Sequence, residues 1–470
     1  MSLPVISLTQ MREWEQSTWQ TGQTEASVIK RAGQAVALRG LQLTRPHDRI
    51  LVLAGKGHNG DDARAAADHL PDRKVIQMNV DDPELAQSQL ISELAAQPAL
   101  IIDGLFGTGV NRPLASNWIR FIQTINQSGR CALAVDVPSG LNADTGEPMG
   151  DAIQAALTLT LGAIKEGLLR PSAWPFVGRL EVAPDIGLVP CPFQTERNWI
   201  CAADFRDFPP RRPVASHKGT FGHLAIFAGS LGYHGAAILA ARGAQRAQPG
   251  LITLFVPRNV YEPIASQLQS VMVQPNDLDF EVPPEGTAIL VGPGLASPEM
   301  PARFRKFIGK LWIDSPRPVI ADASALDWLP EGTVEKNVLR ILTPHPGEAA
   351  RLLQSSAAEV QADRGAALRE LSKRFGHCWV VLKGNQSLIG RSTGKIFINS
   401  SGNPHLAQGG SGDLLGGYLA GLLAQPTLQT LIEKTLCYAV WQHGAAADRL
   451  SEIHASWTVE QLATELGRAE

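Results

Sequence analysis

Gly402-Asn403-Pro404, then Gly409-Gly410-Ser411-Gly412-Asp413, then Leu414-Leu415-Gly416-Gly417-Tyr418-Leu419-Ala420 is the stretch on which the reading of this chain turns. Glycines let a backbone present consecutive N–H groups, and a helix N-terminus adds the positive end of its dipole. The junction therefore predicts an anion site. A carboxylate beside a bound phosphate is repelled by it, which suits Asp413 to accepting a proton rather than to holding the anion. The expected arrangement is a phosphate cradle with its own general base. A glycine-rich turn ahead of a core helix accounts for the same residues equally well.

Outward from that stretch, short apolar runs with little alternation recur, as suits parallel strands buried on both faces. In the C-terminal half His223–Ala228 runs into Gly229-Ser230 and Gly232-Tyr233-His234-Gly235-Ala236. Ala288–Val291 runs into Gly292-Pro293-Gly294, Val319–Ala321 into Asp322, and Leu339–Leu342 into Thr343-Pro344-His345-Pro346-Gly347-Glu348. Trp379–Leu382 runs into Lys383-Gly384-Asn385-Gln386-Ser387, where Lys383 offers a point charge to a phosphate or merely rims the sheet. His345, between two prolines, is expected in a stiff loop.

The N-terminal half has the same grammar. Ile50–Ala54 precedes Gly55-Lys56-Gly57-His58-Asn59-Gly60-Asp61-Asp62, Leu100–Ile102 precedes Asp103 and Gly104-Leu105-Phe106-Gly107-Thr108-Gly109, and Cys131–Val135 precedes Asp136-Val137-Pro138-Ser139-Gly140. Leu157–Leu161 is a further run. Polar, glycine-rich clusters at strand C-termini converge in open α/β sheets, and ligands bind beyond that edge. Ser7-Leu8-Thr9-Gln10 has capping-box spacing and predicts a helix through Met11 and Trp14.

The 470 residues are too many for one ordinary domain. Pro209-Pro210-Arg211-Arg212-Pro213 interrupts helix and strand alike, which places the join near residue 205 and gives domains 1–205 and 206–470. A formal charge of −3 without a basic stripe excludes a general nucleic-acid or membrane-surface binder. Five scattered cysteines without a CxxC pair predict neither a disulfide framework nor a zinc site, and a cytoplasmic setting. The first residues, MSLPVISLTQMREWEQ, have no pattern of a secretion signal, and no apolar run is long enough to cross a membrane. Walker A and HExxH patterns are absent.

In the order of these motifs the chain resembles, over nearly its whole length, the bifunctional NAD(P)H-hydrate repair enzymes. The resemblance implies an α/β architecture in which an N-terminal Rossmann-like three-layer epimerase domain precedes a ribokinase-like α/β, ADP-dependent dehydratase domain. Gly57-His58-Asn59-Gly60-Asp61-Asp62 stands where that family has GNNGGD. By resemblance, His58, Asn59, Gly60, Asp61 and Asp62 contact the hydrated cofactor. So do Gly107, Thr108, Gly109, Val110, Asn111, Arg112 and Pro113, with Asp136 as the proton-transfer residue. Asn59, Asp103 and Ser139 match positions that coordinate K+, an all-oxygen set suited to a hard cation.

In the second domain the resemblance assigns Lys383, Gly384, Asn385, Gln386, Ser387 and Gly412 to ADP. It assigns Ala236, Gly294, His345 and Asp413 to the hydrated nicotinamide nucleotide, with Asp413 the catalytic base. Mg2+ is implied with ADP, and a homo-oligomer as the assembly. Departures from the family pattern are His58 for an asparagine, Asp61 and Ala63 for glycines, Lys30 for an acidic residue, His405 for a glycine, and Ser324 for the second aspartate of an Asp-Ala-Asp pattern begun by Asp322. The competing expectation is a ribokinase-like kinase for a small alcohol, carrying a non-catalytic N-terminal binding module.

Overall fold

The computed structural model describes residues 2–468 apart from 277–281, 297, 299, 333 and 335–337. The chain forms two compact units, one over Leu3–Thr195 and the other from Glu196 onward.

The first unit is built on a 6-stranded parallel sheet in the order Lys74–Asn79, Arg49–Ala54, Leu100–Gly104, Ala132–Val135, Leu157–Leu161, Arg179–Ala183. Side chains alternate between faces along a strand. Accordingly Ile50, Val52 and Ala54 join one apolar cluster with Ala32, Val36 and Ala63, while Leu51 and Leu53 join another with Leu90, Phe121 and Ile122. Helices Glu25–Leu43 and His58–Ala67 supply the first face, and Pro83–Ala95 and Ser116–Gln127 the second, which makes the three layers. Arg49–Ala54 lies between the strands that follow it in the chain, so the topological switch falls between it and Leu100–Gly104. Ligands of open parallel sheets bind at such a point.

Ser7 caps the helix Leu8–Trp19 through a capping box with Gln10. Met11 and Trp14 on that helix pack with Ile6 and Ala163 beside the short parallel pair Leu3–Ile6 and Ile164–Lys165.

The second unit carries a parallel run in the order Met272–Asn276, Leu251–Pro257, His223–Phe227, Ala288–Val291, Val319–Ala321, Arg340–Leu342, Trp379–Leu382. Antiparallel strands Leu388–Gly390 and Ile396–Ile398 extend it, with Arg197–Trp199 beyond. The switch lies between His223–Phe227 and Ala288–Val291. Phe227 stands level with Val291, so the loops leaving the two strands start at one height. The apolar helix Ser411–Leu423 lies across His234–Ala247 at backbone contact distance. A Cβ on Gly243 would fall 2.1 Å from the Leu414 carbonyl oxygen, and one on Gly417 only 1.9 Å from that of Ala240. Glycine at both places lets the helices close, and that closure fixes where the helix begins.

The sequence reading places the interdomain join near residue 205, whereas the compact units divide between Thr195 and Glu196. His345, expected in a loop, is instead the N-cap of helix Pro346–Leu353: the Gly347 N–H donates to its Nδ1 at 3.0 Å, and its own N–H donates to Glu348 Oε2 at 2.8 Å. Proline at the first helical position pre-sets the backbone angle, so the Pro-His-Pro pattern opens a helix there.

Candidate functional sites in the two units

In the first unit the loops after Arg49–Ala54, Leu100–Gly104 and Ala132–Val135 meet at the switch. Gly57 opens helix His58–Ala67, which buries Asn59, Gly60 and Asp62. Gly60 admits no side chain, since a Cβ would stand 2.0 Å from the Gly55 carbonyl oxygen. Ser139 donates from Oγ to Asp103 Oδ1 at 2.5 Å and from its N–H to Oδ2 at 2.9 Å. The Phe106 N–H donates back to Ser139 Oγ at 2.8 Å, and Asn59 Nδ2 donates to the Phe106 carbonyl at 2.8 Å. Asn59 and Ser139 thus meet at the Phe106 carbonyl, and Ser139 brings Asp103 into the same oxygen-rich knot. Burial pushes the Asp103 carboxyl up to about 6 against the hydrogen bonds from Ser139 and Leu105.

Asp136 sits at the end of its strand with φ 63. Its Oδ1 accepts from Thr160 Oγ1 at 3.0 Å, from the Leu161 N–H at 2.9 Å, and from the Lys165 ammonium. Lys165 is fully buried, and its Nζ also donates to Thr160 Oγ1 at 3.1 Å and the Leu161 carbonyl at 2.7 Å. Asp62 is buried, and its carboxyl is pushed up to about 8 by that burial and then by Asp136 and Asp61. Half-buried Glu15, on helix Leu8–Trp19, is raised too, by burial first and by Asp136 second. Lys165 and Glu15 belong to no motif, and nothing in the sequence reading marks either.

Asp61, the departure that sets a negative charge in the first turn of helix His58–Ala67, is paired with Arg64 at 2.8 Å, and Arg64 also donates to the Gly55 carbonyl at 3.0 Å. His58 is exposed, 3.9 Å from Glu25. Gly107 abuts Asn59, and Val110 is held by Asn142 Nδ2 at 3.2 Å from its carbonyl. Asn111, Arg112 and Pro113 lie exposed on the same loop beyond Thr108 and Gly109.

In the second unit helix Ser411–Leu423 starts at Gly410, with Asp413 in its first turn. Burial, then the Asp322 carboxylate, push the Asp413 carboxyl up to about 7, opposed by Lys383. The Lys383 ammonium donates to Asp322 Oδ1 at 2.8 Å and lies 3.2 Å from where a Cβ on Gly412 would be. Burial alone would lower the Lys383 ammonium, yet the Asp322 and Glu348 carboxylates leave it raised. Glu348 is buried and lies 3.5 Å from Nε2 of His345, which brings His345 to the rim of the same cluster. Ser230 Oγ donates to the Gly294 carbonyl at 2.7 Å, and Gly294 packs against Ala236, so these two predicted contacts share one corner.

The loop Lys383 to Ser387 is stapled from beneath by Arg364. Its guanidinium donates to the carbonyls of Leu382 (3.2 Å), Lys383 (3.4 Å), Gln386 (3.3 Å) and Asn385. Burial lowers that guanidinium to about 10. Gly384 and Asn385 are exposed at the loop tip, and Ser387 Oγ donates to the Gly384 carbonyl at 3.1 Å. Asp448 accepts from the Gly402 N–H at 2.9 Å and from Asn403 Nδ2 at 3.0 Å, anchoring the Gly-Asn-Pro turn. Arg364 and Asp448 sit at helical positions that look like any charged surface residue in sequence, so they leave no signal there.

Comparison with known proteins brings both units together. A family described as NAD(P)H-hydrate dehydratase matches residues 224–468, and one described as YjeF-related protein N-terminus matches residues 72–167. A bifunctional NAD(P)H-hydrate repair enzyme of Coxiella burnetii is 33% identical over 94% of this chain and 94% of its own. One of Gloeobacter violaceus is 31% identical over 98% of this chain and 96% of its own. Among solved structures, a ribokinase-like superfamily protein from Enterococcus faecalis V583 covers 58% of this chain and 95% of its own at 23% identity, with a TM-score of 0.50, a likeness of fold. With relatives aligned through both units and the dehydratase profile spanning the second, the chain belongs to the family of bifunctional NAD(P)H-hydrate repair enzymes.

Proposed function

We propose that the chain restores hydrated NADH and NADPH in two activities. The first unit interconverts the R and S hydrates, and the second dehydrates the S hydrate at the expense of ADP, yielding NAD(P)H, AMP and phosphate. The full-length similarity to repair enzymes favours this over a small-alcohol kinase with a non-catalytic N-terminal module. The observation that carries the dehydratase reading is Asp413. It is a carboxyl in the first turn of an amide-lined helix start, pushed up to about 7 and so able to take a proton near neutrality.

The substrate carries a hydroxyl on the saturated ring carbon next to the ring nitrogen. Asp413 takes the hydroxyl proton, and the oxygen attacks the terminal phosphorus of ADP. The bond to the bridging oxygen breaks and AMP leaves. The ring nitrogen lone pair then expels the new phosphoester as phosphate, and a proton lost from the neighbouring carbon restores the double bond. General-base help of this kind contributes ~10²–10⁴-fold. Lys383 to Ser387 and Gly412 are assigned to ADP, and Ala236, Gly294, His345 and Asp413 to the hydrate.

Among the described residues no group of three or more His, Cys, Asp and Glu gathers into a metal cage, so Mg2+ would arrive on the nucleotide phosphates, whose charge it neutralises. In the first unit, Asn59, Asp103 and Ser139 suit K+, because the buried Asp103 carboxylate has the Ser139 hydroxyl beside it and, among the described residues, no cationic side chain bonded to it. Bound there, K+ supplies the positive charge that offsets Asp103. Asp136 is assigned proton transfer during epimerisation, with the substrate held by residues 58–62 and 107–113.

Recovery of dihydronicotinamide absorbance from the hydrate, with ADP, ATP or no nucleotide, tests the second activity. A stable phosphorylated product in place of NADH would return the kinase reading. The first activity is tested by the rate of epimer equilibration with wild-type and Asp136→Ala protein; equal rates end it. The family also points to a homo-oligomer, which light scattering on the purified protein decides. Among the described residues no helix is long and apolar enough to cross a membrane.

A further inference from the structure

Asp322 has no part in the scheme above, yet it is 2% exposed and bonded at 2.8 Å to the Lys383 ammonium, itself 17% exposed. Its backbone is fixed twice. The Asp322 N–H donates to the Val291 carbonyl at 3.0 Å, and its own carbonyl lies 1.7 Å from where a Cβ on Gly292 would be. Its side chain reaches the helix that carries Asp413: a Cβ on Gly416 would stand 3.1 Å from Asp322 Oδ2. Gly412 and Gly416 are one turn apart on that helix, and their bare backbone forms the slot in which the Asp322–Lys383 pair lies.

We propose that Asp322 is a positioning residue for phosphoryl transfer: it holds the Lys383 ammonium along the Gly412–Gly416 slot, facing the incoming phosphate and away from Asp413. The proposal rests on the dehydratase reading. A lysine has a flexible four-carbon stem, and an unrestrained ammonium beside a carboxylate collapses onto it. That collapse would hold the base ionised but occupied, and would remove the point charge from the phosphate. A rigid, buried counter-charge on the far side prevents it. Asp322 also adds a negative charge near Asp413, which keeps that base basic enough to take a proton from an alcohol.

The charged groups that face Asp413 are Asp322, Lys383 and Glu348. Buried His443, hydrogen-bonded to the Ser411 backbone from helix Ile432–Ile453, lies close enough to feel the Lys383 charge. Removing the Asp322 charge leaves Asp413 with one like charge fewer and with Lys383 free to approach it. Both changes favour the ionised base, so their signs agree.

The test is the pH dependence of kcat/KM for ADP-dependent dehydration by the full chain. In Asp322→Asn the acidic limb is expected to move down by on the order of one pH unit, while kcat falls by ~10²-fold as the ammonium loses its place. Asp322→Glu, which keeps the charge, should return part of kcat and leave the limb nearer its wild-type position. A limb that stays put in Asp322→Asn, with kcat within about twofold of wild type, overturns the proposal.

Gly416→Ala decides the matter if Asp322→Asn does not fold. Alanine favours the helix, so the protein should melt no lower, yet its Cβ presses on Asp322 Oδ2 and kcat should fall several-fold, by roughly 3- to 10-fold. Unchanged kcat in Gly416→Ala overturns the proposal as well. The dehydratase reading fails separately, when wild-type protein gives no NADH with ADP.

Discussion

The Lys165 ammonium, fully shielded from solvent, donates to Oδ1 of Asp136, whose side chain is 14% exposed. Lys165 reaches it from a two-residue strand paired in parallel with Leu3–Ile6. Taking one partner from such a pair leaves a desolvated charge.

Lys165→Met should therefore destabilise the first unit by about 3 kcal/mol and abolish accelerated epimer equilibration. The double variant Lys165→Met/Asp136→Asn should recover a good part of the stability and none of the activity. Denaturant midpoints around the cycle check this. Additive losses would mean that the two residues act independently.

The charge of Asp61 does not stand alone in the helix turn where the family pattern has glycine. Arg64 meets it at 2.8 Å and ties the pair to the Gly55 carbonyl. Arg64→Ala should expose that charge to any diphosphate in the loop and raise the KM for the hydrate by roughly 5- to 10-fold, an effect of about 1 kcal/mol. Asp61→Gly in the same background should reverse it. A KM unmoved by Arg64→Ala would place the diphosphate elsewhere.

Much of this architecture is legible in the sequence because continuous apolar runs can satisfy only a doubly covered sheet, and the runs at 50–54, 157–161, 288–291 and 379–382 are strands. Convergence of the loops at one edge follows from parallel topology alone. The edge strand Lys74–Asn79 escapes such a reading since its residues are largely exposed or half-buried, with no apolar run to betray it. Lys165, Glu15 and Arg364 escape for another reason. A charged residue looks the same in sequence whether it meets water or a buried partner, and only tertiary packing decides which. His345 reads as loop when Pro-His-Pro is weighed for rigidity alone; the missing weight is Glu348, three residues on, as its capping partner.

Asp62 gives a stability signature of its own. Its folded-state carboxyl titrates at about 8 where an ordinary aspartate titrates near 3.8. The folded protein thus binds this proton more tightly than the unfolded chain does, and the associated stability is full below about pH 4 and lost as pH rises through about 8. An asparagine at this position would never ionise. Asp62→Asn should therefore gain melting temperature over wild type at about pH 9 while differing little below about pH 4, where the wild-type side chain is neutral in the folded and unfolded chain alike. A difference that is flat with pH would mean Asp62 is solvated in the folded protein.

The same sign governs Asp413, with catalysis added. Burial and the Asp322 carboxylate push it up to about 7 from an ordinary value of 3.8, against the pull of Lys383. As the proposed base it works only when ionised, so kcat/KM for dehydration by the free enzyme should climb through about pH 7 rather than level off near pH 4. Asp413→Asn should still bind nucleotide, since residues 383–387 and 412 are untouched, and should lose ~10²–10⁴-fold in kcat. It should also melt above wild type at about pH 8, where the wild-type carboxylate is ionised among Asp322 and Glu348. Loss of turnover with a gain in alkaline stability separates a removed base from a damaged fold, because damage lowers both. Near-normal turnover, or an acidic limb near pH 4, would require another residue to take the hydroxyl proton.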